Sequence, residues 1–235
     1  MPTVFEETVG QQNKRAAVVV GRFNPPTIGH YSVFDAVKKY IRNNQNLGLD
    51  AVPIVVVVAG KETSKDKTKN PLTANERISF MTASGKANGV KFLVASSAFQ
   101  AFEEVRKAGY EPIAVAAGTD RADKYLEMLD KYYKTNDGKE IDHYAITLNR
   151  VVESEEPKEK VNKKAALDDI LQYLDDDLPT EMVSASLARR AVEKDEFDKF
   201  VIITGLTEKP ALARKMFDKI KASMATMENP DGVAG

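Results

Sequence analysis

The chain has 235 residues, 43% of them hydrophobic and 29% charged, which suits one α/β domain with a substantial core and short appendages. Its formal net charge of -1 excludes the broad basic field of a protein that holds nucleic acid, and its lack of cysteine excludes disulfides, thiolate metal sites and cysteine nucleophiles. No apolar stretch reaches the ~20 residues that span a bilayer, and residues 1–15 are polar, so we expect a soluble cytoplasmic protein without nucleic-acid or membrane partners.

Four apolar runs without alternation indicate strands that are covered on both faces of a parallel sheet. These runs and a fifth predicted strand are residues 16–20, 52–59, 90–95, 113–117 and 144–151. The stretches between them predict helices, which are residues 31–43, 74–87, 99–108 and 120–133. Strands that alternate with helices predict an α/β fold with a Rossmann-like, doubly wound parallel sheet.

The composition changes after the fifth strand. Residues 153–164 are rich in Glu, Lys, Pro and Ser, so we expect a mobile charged loop there. Helices are predicted over 163–174 and 210–227, and the last one either caps the sheet or contacts a partner, such as a second copy in a homo-oligomer. The predicted units are an N-terminal extension (1–15), a nucleotide-handling domain (16–205) and a C-terminal helix with its tail (206–235).

Residues 21–30, with the sequence GRFNPPTIGH, follow the first apolar run directly and lead into the first helix. Gly21 lets the chain leave the strand in a tight turn, and Gly29 lets a ligand approach the backbone closely. The N–H groups of the first helical turn have no partner within the helix and attract anions. His30 lies at this helix start, so the pattern predicts a phosphate site. The second histidine, His143, lies in a polar stretch and predicts only a surface position.

This string resembles the signature of the HxGH nucleotidyltransferase superfamily, the adenylyl- and cytidylyltransferases, in which a His/Thr-x-Gly-His tetrad joins strand one to helix one. The resemblance implies that His30 and the helix start hold the phosphates of a nucleoside triphosphate, with Thr27 in the first tetrad position. The other residues of the string that it assigns to the nucleotide are Gly21, Arg22, Phe23, Asn24 and Gly29.

A second stretch, residues 183–189 with the sequence VSASLAR, resembles the late Ile-Ser-Ser/Thr-Thr-x-Ile-Arg segment of the same superfamily. Ser184 or Ser186 can cap a helix whose free N–H groups face a triphosphate, and Arg189 adds a permanent positive charge one turn later. The resemblance implies that these three residues contact the β- and γ-phosphates. Ala185 removes one hydroxyl of the family pattern, and serine replaces threonine at position 186.

Weaker features lie after the second and fourth strands. The stretch PLTANER over 71–77 is similar to a family segment after strand two, and we assign Arg77 to the acceptor, with a surface ion pair as the alternative. Asp120, in a Gly-Thr-Asp turn, is assigned either to the nucleotide site or to capping the next helix. Lys61 and Lys65 are assigned to a lid over the acceptor phosphate, with solvent-facing lysines as the alternative.

The resemblance implies transfer of a nucleotidyl group from ATP or CTP to a phosphorylated small molecule, with Mg2+ bound mainly through the triphosphate and no protein metal ligand assigned. This reaction needs alignment and fixed positive potential rather than a protein nucleophile, and its catalytic candidates are His30, Thr27 and Arg189. ATP with nicotinamide mononucleotide is the preferred substrate pair. A cytidylyltransferase and a non-catalytic nucleotide-binding or structural subunit are the alternatives. The interpretation requires His30 and Arg189 to converge on one polyanion.

Overall fold

Five parallel strands form one sheet in the described part of the computed structural model, which comprises residues 14–44, 51–61, 65–132, 143–148 and 183–228. The strands are β1 (Lys14–Gly21), β2 (Ala51–Val58), β3 (Lys91–Ala95), β4 (Tyr110–Gly118) and β5 (Tyr144–Leu148). Their spatial order is β3-β2-β1-β4-β5, so β1 lies at the centre of the sheet between β2 and β4. The predicted fold class is confirmed.

Helices cover both faces of this sheet because successive side chains of a strand point to opposite faces. Ala17 and Val19 of β1 belong to one hydrophobic cluster, whose helices are α1 (Ile28–Asn44) and α2 (Ala74–Ser84). Val18 and Val20 of β1 belong to a second cluster, whose helices are α3 (Ala98–Lys107) and α4 (Thr119–Tyr132). Burial on both faces explains the unbroken apolar runs of β1, β2 and β4. The prediction was wrong for β3, which is an edge strand with Val94 42% exposed.

The helix boundaries depart from the predicted ones for local reasons. α1 begins three residues earlier than predicted because the Thr27 carbonyl already accepts the N–H groups of His30 (2.9 Å) and Tyr31 (3.3 Å). α2 ends at Ser84 rather than at 87 because Gly85 takes a left-handed conformation with φ 76°, which stops the helix. Residues 149–151 of the predicted fifth strand, the predicted loop 153–164 and the predicted helix 163–174 lie outside the described residues.

Three helices near the C-terminus form a third hydrophobic cluster. They are α5 (Ala185–Glu193), α6 (Phe197–Thr204) and α7 (Pro210–Glu228). The cluster also takes in Leu72 and Phe80, which lie before and within α2. The sequence analysis did not predict α6, because its eight residues FDKFVIIT lack the polar stripe of an amphipathic helix.

α7 contacts α2, α5 and α6, so it packs on a helix that covers the sheet. The prediction that the last helix caps the sheet itself was wrong. The Nζ atom of Lys219 lies 2.8 Å from Oε1 of Glu76 on α2, and Nζ of Lys209 donates to the Ala83 carbonyl at 2.8 Å. Contact with a partner and the unit boundary at 205/206 stay predictions. Among the described residues, no helix combines the length and the apolar character that a membrane crossing requires.

Phe217 is the substitution that tests the third cluster. Its ring is 1% exposed and packs edge to face on Phe197 and Phe200, so Phe217→Ala should lower the free energy of unfolding by about 3–5 kcal/mol. Urea unfolding followed by circular dichroism measures this loss. Phe99→Ala is the matched control, because Phe99 is 48% exposed and its truncation should cost less than about 1 kcal/mol. Equal losses in the two variants would contradict the packing described here.

Candidate functional site

The candidate site lies where β1 passes into α1, at the carboxyl edge of the sheet. From the central strand β1, the chain builds β2 and β3 on one side and β4 and β5 on the other. The carboxyl edge at such a change of direction is where doubly wound sheets bind their ligands. Residues 21–30 therefore lie in the crevice that the topology makes available.

Phe23 is the buried aromatic residue of this loop. Its backbone takes a left-handed conformation with φ 51°, which is unfavourable for a residue with a side chain, and its ring is 3% exposed. The ring packs edge to face on His30, with centroids 5.0 Å apart, and on Phe34 at 5.7 Å. Gly21 makes room for it, since a Cβ atom at position 21 would lie 2.7 Å from Cζ of Phe23. Gly21 therefore contributes to the site by admitting the aromatic ring.

Thr27 orients the imidazole of His30. Thr27 is fully buried; its N–H donates to Nδ1 of His30 at 3.0 Å, and its hydroxyl lies 2.9 Å from the same nitrogen. Because a backbone N–H can only donate, Nδ1 is the acceptor and the ring hydrogen of the neutral imidazole is on Nε2. The half-buried His30 thus has a defined donor on the ring nitrogen that faces away from Thr27.

Asn24 fastens the loop to the segment before α2. Its Nδ2 donates to the Leu72 carbonyl at 2.9 Å, and its Oδ1 accepts the Leu72 N–H at 3.0 Å. Both residues are 2% exposed. Both the nitrogen and the oxygen of the Asn24 side-chain amide therefore bond to protein backbone. Asn24 would contribute to a nucleotide site by fixing the position of the loop.

Arg189 brings α5 to the same loop. Its Nη1 donates to the Asn24 carbonyl at 2.6 Å across 165 residues of sequence, and its Nη2 donates to Oγ of Ser186 at 3.0 Å. Ser184 is the N-cap of α5, because its Oγ accepts the N–H of Leu187 at 3.2 Å. The N-terminus of α5 and the loop that leads to His30 thus meet, while convergence of the His30 and Arg189 side chains on one polyanion stays a prediction.

Three guanidinium groups, those of Arg22, Arg77 and Arg189, form what we call the arginine cluster. Burial, followed by repulsion from Arg22, lowers the pKa of Arg77 to about 10 and that of Arg189 to about 10. Both residues remain charged at neutral pH. Arg22 itself is exposed to solvent. Guanidinium groups that repel one another, next to the start of α1, create the positive potential that a polyanion needs.

Arg77 differs from the prediction that assigned it to the acceptor. Its side chain is buried, its Nε donates to the Thr73 carbonyl at 3.1 Å, and its Nη1 donates to the carbonyls of Val58 (3.0 Å) and Arg22. The alternative of a surface pair with the preceding glutamate is wrong. That glutamate instead completes the capping box of α2 and bonds to α7. The contacts of Arg77 favour holding the backbone over binding an acceptor.

The lysine segment after β2 lies close to the arginine cluster. Lys61 and Lys65 are exposed on either side of residues 62–64, which lie outside the described part of the chain. Burial is the main cause of the lowered pKa of Arg189, and the carboxylate of Asp66, next to Lys65, partly opposes it. This segment therefore lies within electrostatic range of Arg189. Hydrogen bonds from Lys69 and Thr68 hold the pKa of Asp66 far below its usual range. In the turn that follows Lys65, Thr68 and Lys69 therefore both donate hydrogen bonds to the Asp66 carboxylate.

The remaining predicted residues occupy defined backbone positions. Gly29 lies in the first turn of α1, where its carbonyl accepts the hydroxyl of Ser32 at 2.9 Å. Asp120 lies in the first turn of α4, directly after β4, and its side chain is outside the description. Both positions are at the carboxyl edge of the sheet, so both residues stay predicted members of the site.

His143 is not a surface residue, and that prediction was wrong. Its side chain is 2% exposed, and its Nδ1 lies 2.7 Å from Oδ1 of Asp130 at the end of α4. It precedes β5, at the amino edge of the sheet, opposite the candidate site. The polar residues next to His143 in the sequence indicated an exposed position, although its imidazole is buried.

Sequence reasoning missed the part played by Leu72. Its backbone, rather than its side chain, bonds to Asn24, and almost any residue could supply those two atoms. The only signal in the sequence was its place in the PLTANER stretch that resembles the family.

The donor chemistry of the site bears on the magnesium ion that the superfamily resemblance implies. The described residues contain no group of three or more His, Cys, Asp or Glu side chains that could hold a metal ion. The arginine cluster is cationic and suits phosphate oxygens instead. Binding of Mg2+ through a triphosphate stays a prediction, in which the arginine cluster would hold the phosphate oxygens.

Comparison with known proteins gives the family of this chain. The family model described as cytidylyltransferase-like matches residues 18–191, a span that contains the β1–α1 loop and Arg189. Among solved structures, a macrolide-efflux protein from Streptococcus pneumoniae is similar, with 16% identity and a TM-score of 0.45. The match covers 82% of this chain and 57% of that one, so the chain spans little more than half the length of that protein. Among curated proteins, none matches.

Gly21→Ala tests the close approach of Phe23. The added methyl would overlap a buried ring that His30 and Phe34 hold in place, so we expect a loss of about 1–3 kcal/mol in the free energy of unfolding. The double variant with Phe23→Leu removes the overlap, and its loss should be smaller than the sum of the two single losses. Additive losses in urea unfolding would show that the two positions are not in contact.

Proposed function

Because the chain belongs to the cytidylyltransferase-like family, we propose that it transfers a nucleotidyl group from a nucleoside triphosphate to a phosphorylated small molecule. A phosphate oxygen of the acceptor attacks the α-phosphorus, the bond from that phosphorus to the α,β-bridging oxygen breaks, and pyrophosphate leaves. The observation that carries this proposal is the bond from Arg189 to the Asn24 carbonyl. It joins the starts of α1 and α5 and the arginine cluster at one edge of the sheet.

His30 is the group that we assign to the α-phosphate. Since Nδ1 is held by Thr27, Nε2 is the ring atom that can donate to an α-phosphate oxygen as negative charge develops there. The N–H groups at the start of α1 add to the same potential. Thr27 accordingly acts by positioning His30 and does not itself contact the phosphates.

The residues of α5 suit the β- and γ-phosphates. Ser184 is exposed and uses its oxygen as an acceptor in the cap, so its hydroxyl hydrogen can donate to a phosphate oxygen. Ser186 accepts a bond from Arg189, which places a hydroxyl and a guanidinium side by side. Negative charge on the departing pyrophosphate is balanced by this pair and by the N-terminal end of the helix.

The acceptor phosphate is assigned to the exposed cations nearest the cluster, Arg22, Lys61 and Lys65. Arg22 is exposed and lies within electrostatic range of Arg77 and Arg189, and the lysines follow the strand that pairs with β1. Asp120 begins α4 on the other side of β1, where we assign it to the nucleoside. The arginine cluster and the helix starts would hold the phosphate oxygens of the triphosphate, and a magnesium ion bound to that triphosphate would add positive charge there.

The substrate pair to test first is ATP with nicotinamide mononucleotide, because residues 21–25 and the Gly-Thr-Asp turn resemble adenylyltransferases of that type. CTP with a phosphorylated alcohol is the second pair, because the family that contains this chain is described as cytidylyltransferase-like. Both pairs use the same phosphate site and differ in the base pocket.

His30→Ala should lower turnover roughly 100- to 1000-fold, because it removes one donor to a developing charge. Pyrophosphate release is measured with ATP and with CTP over a panel of phosphorylated acceptors, at matched circular dichroism spectra. The other histidine provides the control, since His143 lies at the opposite edge of the sheet and His143→Gln should keep turnover within about twofold. More than a tenth of wild-type turnover in His30→Ala would remove His30 from the proposed mechanism.

A nucleoside triphosphate should stabilise the folded protein. At 100 times the dissociation constant the gain is about 2.7 kcal/mol, which corresponds to a rise of about 5–10 °C in the melting temperature for a chain of this size. Arg189→Gln should remove most of this rise, because it deletes a charge at the triphosphate site. Stabilisation without pyrophosphate release from any acceptor would instead favour a non-catalytic nucleotide-binding subunit. No stabilisation by ATP or CTP would contradict both functions.

A further inference from the structure

Arg77 is a buried cation that bonds to the backbone of three separate segments. They are the loop after β1, through the Arg22 carbonyl; the last residue of β2, through the Val58 carbonyl; and the N-cap of α2, through the Thr73 carbonyl. Among the described residues its guanidinium forms no ion pair. With 2% of the residue exposed, these carbonyls replace most of the water that the charge would otherwise bind.

Burial of a charge in this position is unfavourable. A charged residue is therefore expected here only if it has a role that a neutral side chain could not fill. Burial and the neighbouring Arg22 both disfavour the protonated form, which is why the pKa of Arg77 falls to about 10. A planar guanidinium can direct several N–H groups at once along fixed directions, which neither lysine nor an apolar residue can do. The arrangement of the three carbonyl groups therefore suits a guanidinium better than a lysine or an apolar side chain.

Two of the arginines hold the backbone on either side of Phe23. Arg77 binds the carbonyl of Arg22, which precedes Phe23, and Arg189 binds the carbonyl of Asn24, which follows it. Between these two bonds Phe23 adopts its left-handed conformation with φ 51°. Such a conformation persists only where the surroundings determine it, and here two guanidiniums do so.

The held turn at Phe23 faces the imidazole. The Phe23 ring lies edge to face on His30 with centroids 5.0 Å apart, so it forms one wall of the space in which that side chain can move. Thr27 holds the same imidazole through Nδ1. Displacement of Phe23 would therefore change the direction in which Nε2 points.

We propose that Arg77 is a positioning residue: it holds the turn at Phe23, and thereby sets the orientation of the His30 imidazole toward the phosphate site. Its effect on catalysis rests on the proposed function, whereas its effect on the imidazole does not. A misplacement of about 1 Å in a reacting group can cost ~100-fold in rate. The role predicts a loss in kcat that exceeds any change in KM for the triphosphate.

The test uses Arg77→Lys and Arg77→Gln in the full chain, with Arg42→Lys as the matched control at an exposed position in the last turn of α1. NMR of 15N-labelled protein reports the imidazole resonances of His30. Phe23→Leu identifies the part of these chemical shifts that the Phe23 ring causes. In Arg77→Lys the His30 signals should move toward those of Phe23→Leu, while in Arg42→Lys they should not move.

The kinetic readout follows on the same proteins. We expect kcat to fall about 10- to 100-fold in both Arg77 variants, with KM for the triphosphate changed less than about threefold and with Arg77→Lys the less affected. Arg77→Gln introduces no charge to be buried, so it keeps the test available if Arg77→Lys does not fold. Folded Arg77 variants with wild-type His30 resonances would overturn the proposal, whether or not the wild-type protein is active. If the wild type lacks activity but the resonances shift as expected, only the proposed function fails.

Discussion

The backbone carbonyl of Asn24 is where the two halves of the site are joined, and the arrangement of the other groups depends on that bond. Arg189 reaches it from α5, while the side chain of the same asparagine is fastened to Leu72. One residue thus ties the β1–α1 loop both to the C-terminal helices and to the segment before α2. With the loop held in this way, the start of α1 and its imidazole have a fixed relation to the start of α5.

The electrostatics of the site follow from the same contacts. Burying a guanidinium is costly, and Arg77 and Arg189 donate their hydrogen bonds to uncharged oxygens, which carry only partial charge. The carboxylates of Glu76, near Arg77, and of Glu193 and Asp66, near Arg189, offset only part of the effect of burial and of Arg22, so the cluster keeps a positive potential. A polyanion can neutralise it, and an ion such as a triphosphate matches several cations at once. The charge that opposes folding at this edge is what favours binding there.

Sequence reasoning succeeded where a residue acts through its own chemical type. The apolar runs predicted the strands β1, β2 and β4, which are buried on both faces, and Ser184 was one of two serines predicted to cap a helix, as it does at the start of α5. It did not anticipate groups that act through the backbone or through burial. The sequence assigns Arg77 to the acceptor or to a surface ion pair, because its burial depends on strands and turns that are distant in sequence. The left-handed conformation of Phe23 could not be predicted from the sequence either, since bulky residues rarely adopt it and no local pattern encodes it.

The third hydrophobic cluster gives the C-terminal helices a direct part in the site. Leu72 is buried in this cluster by its side chain and bonds to Asn24 by its backbone, so one residue belongs to both the cluster and the loop. α5 carries Arg189 and packs in the same cluster through Leu187 and Ala188. Because interiors are close-packed, a shift of these helices would be transmitted to the Asn24 carbonyl from two directions. The C-terminal helices therefore act as the support that determines where Ser184 and Arg189 stand relative to His30.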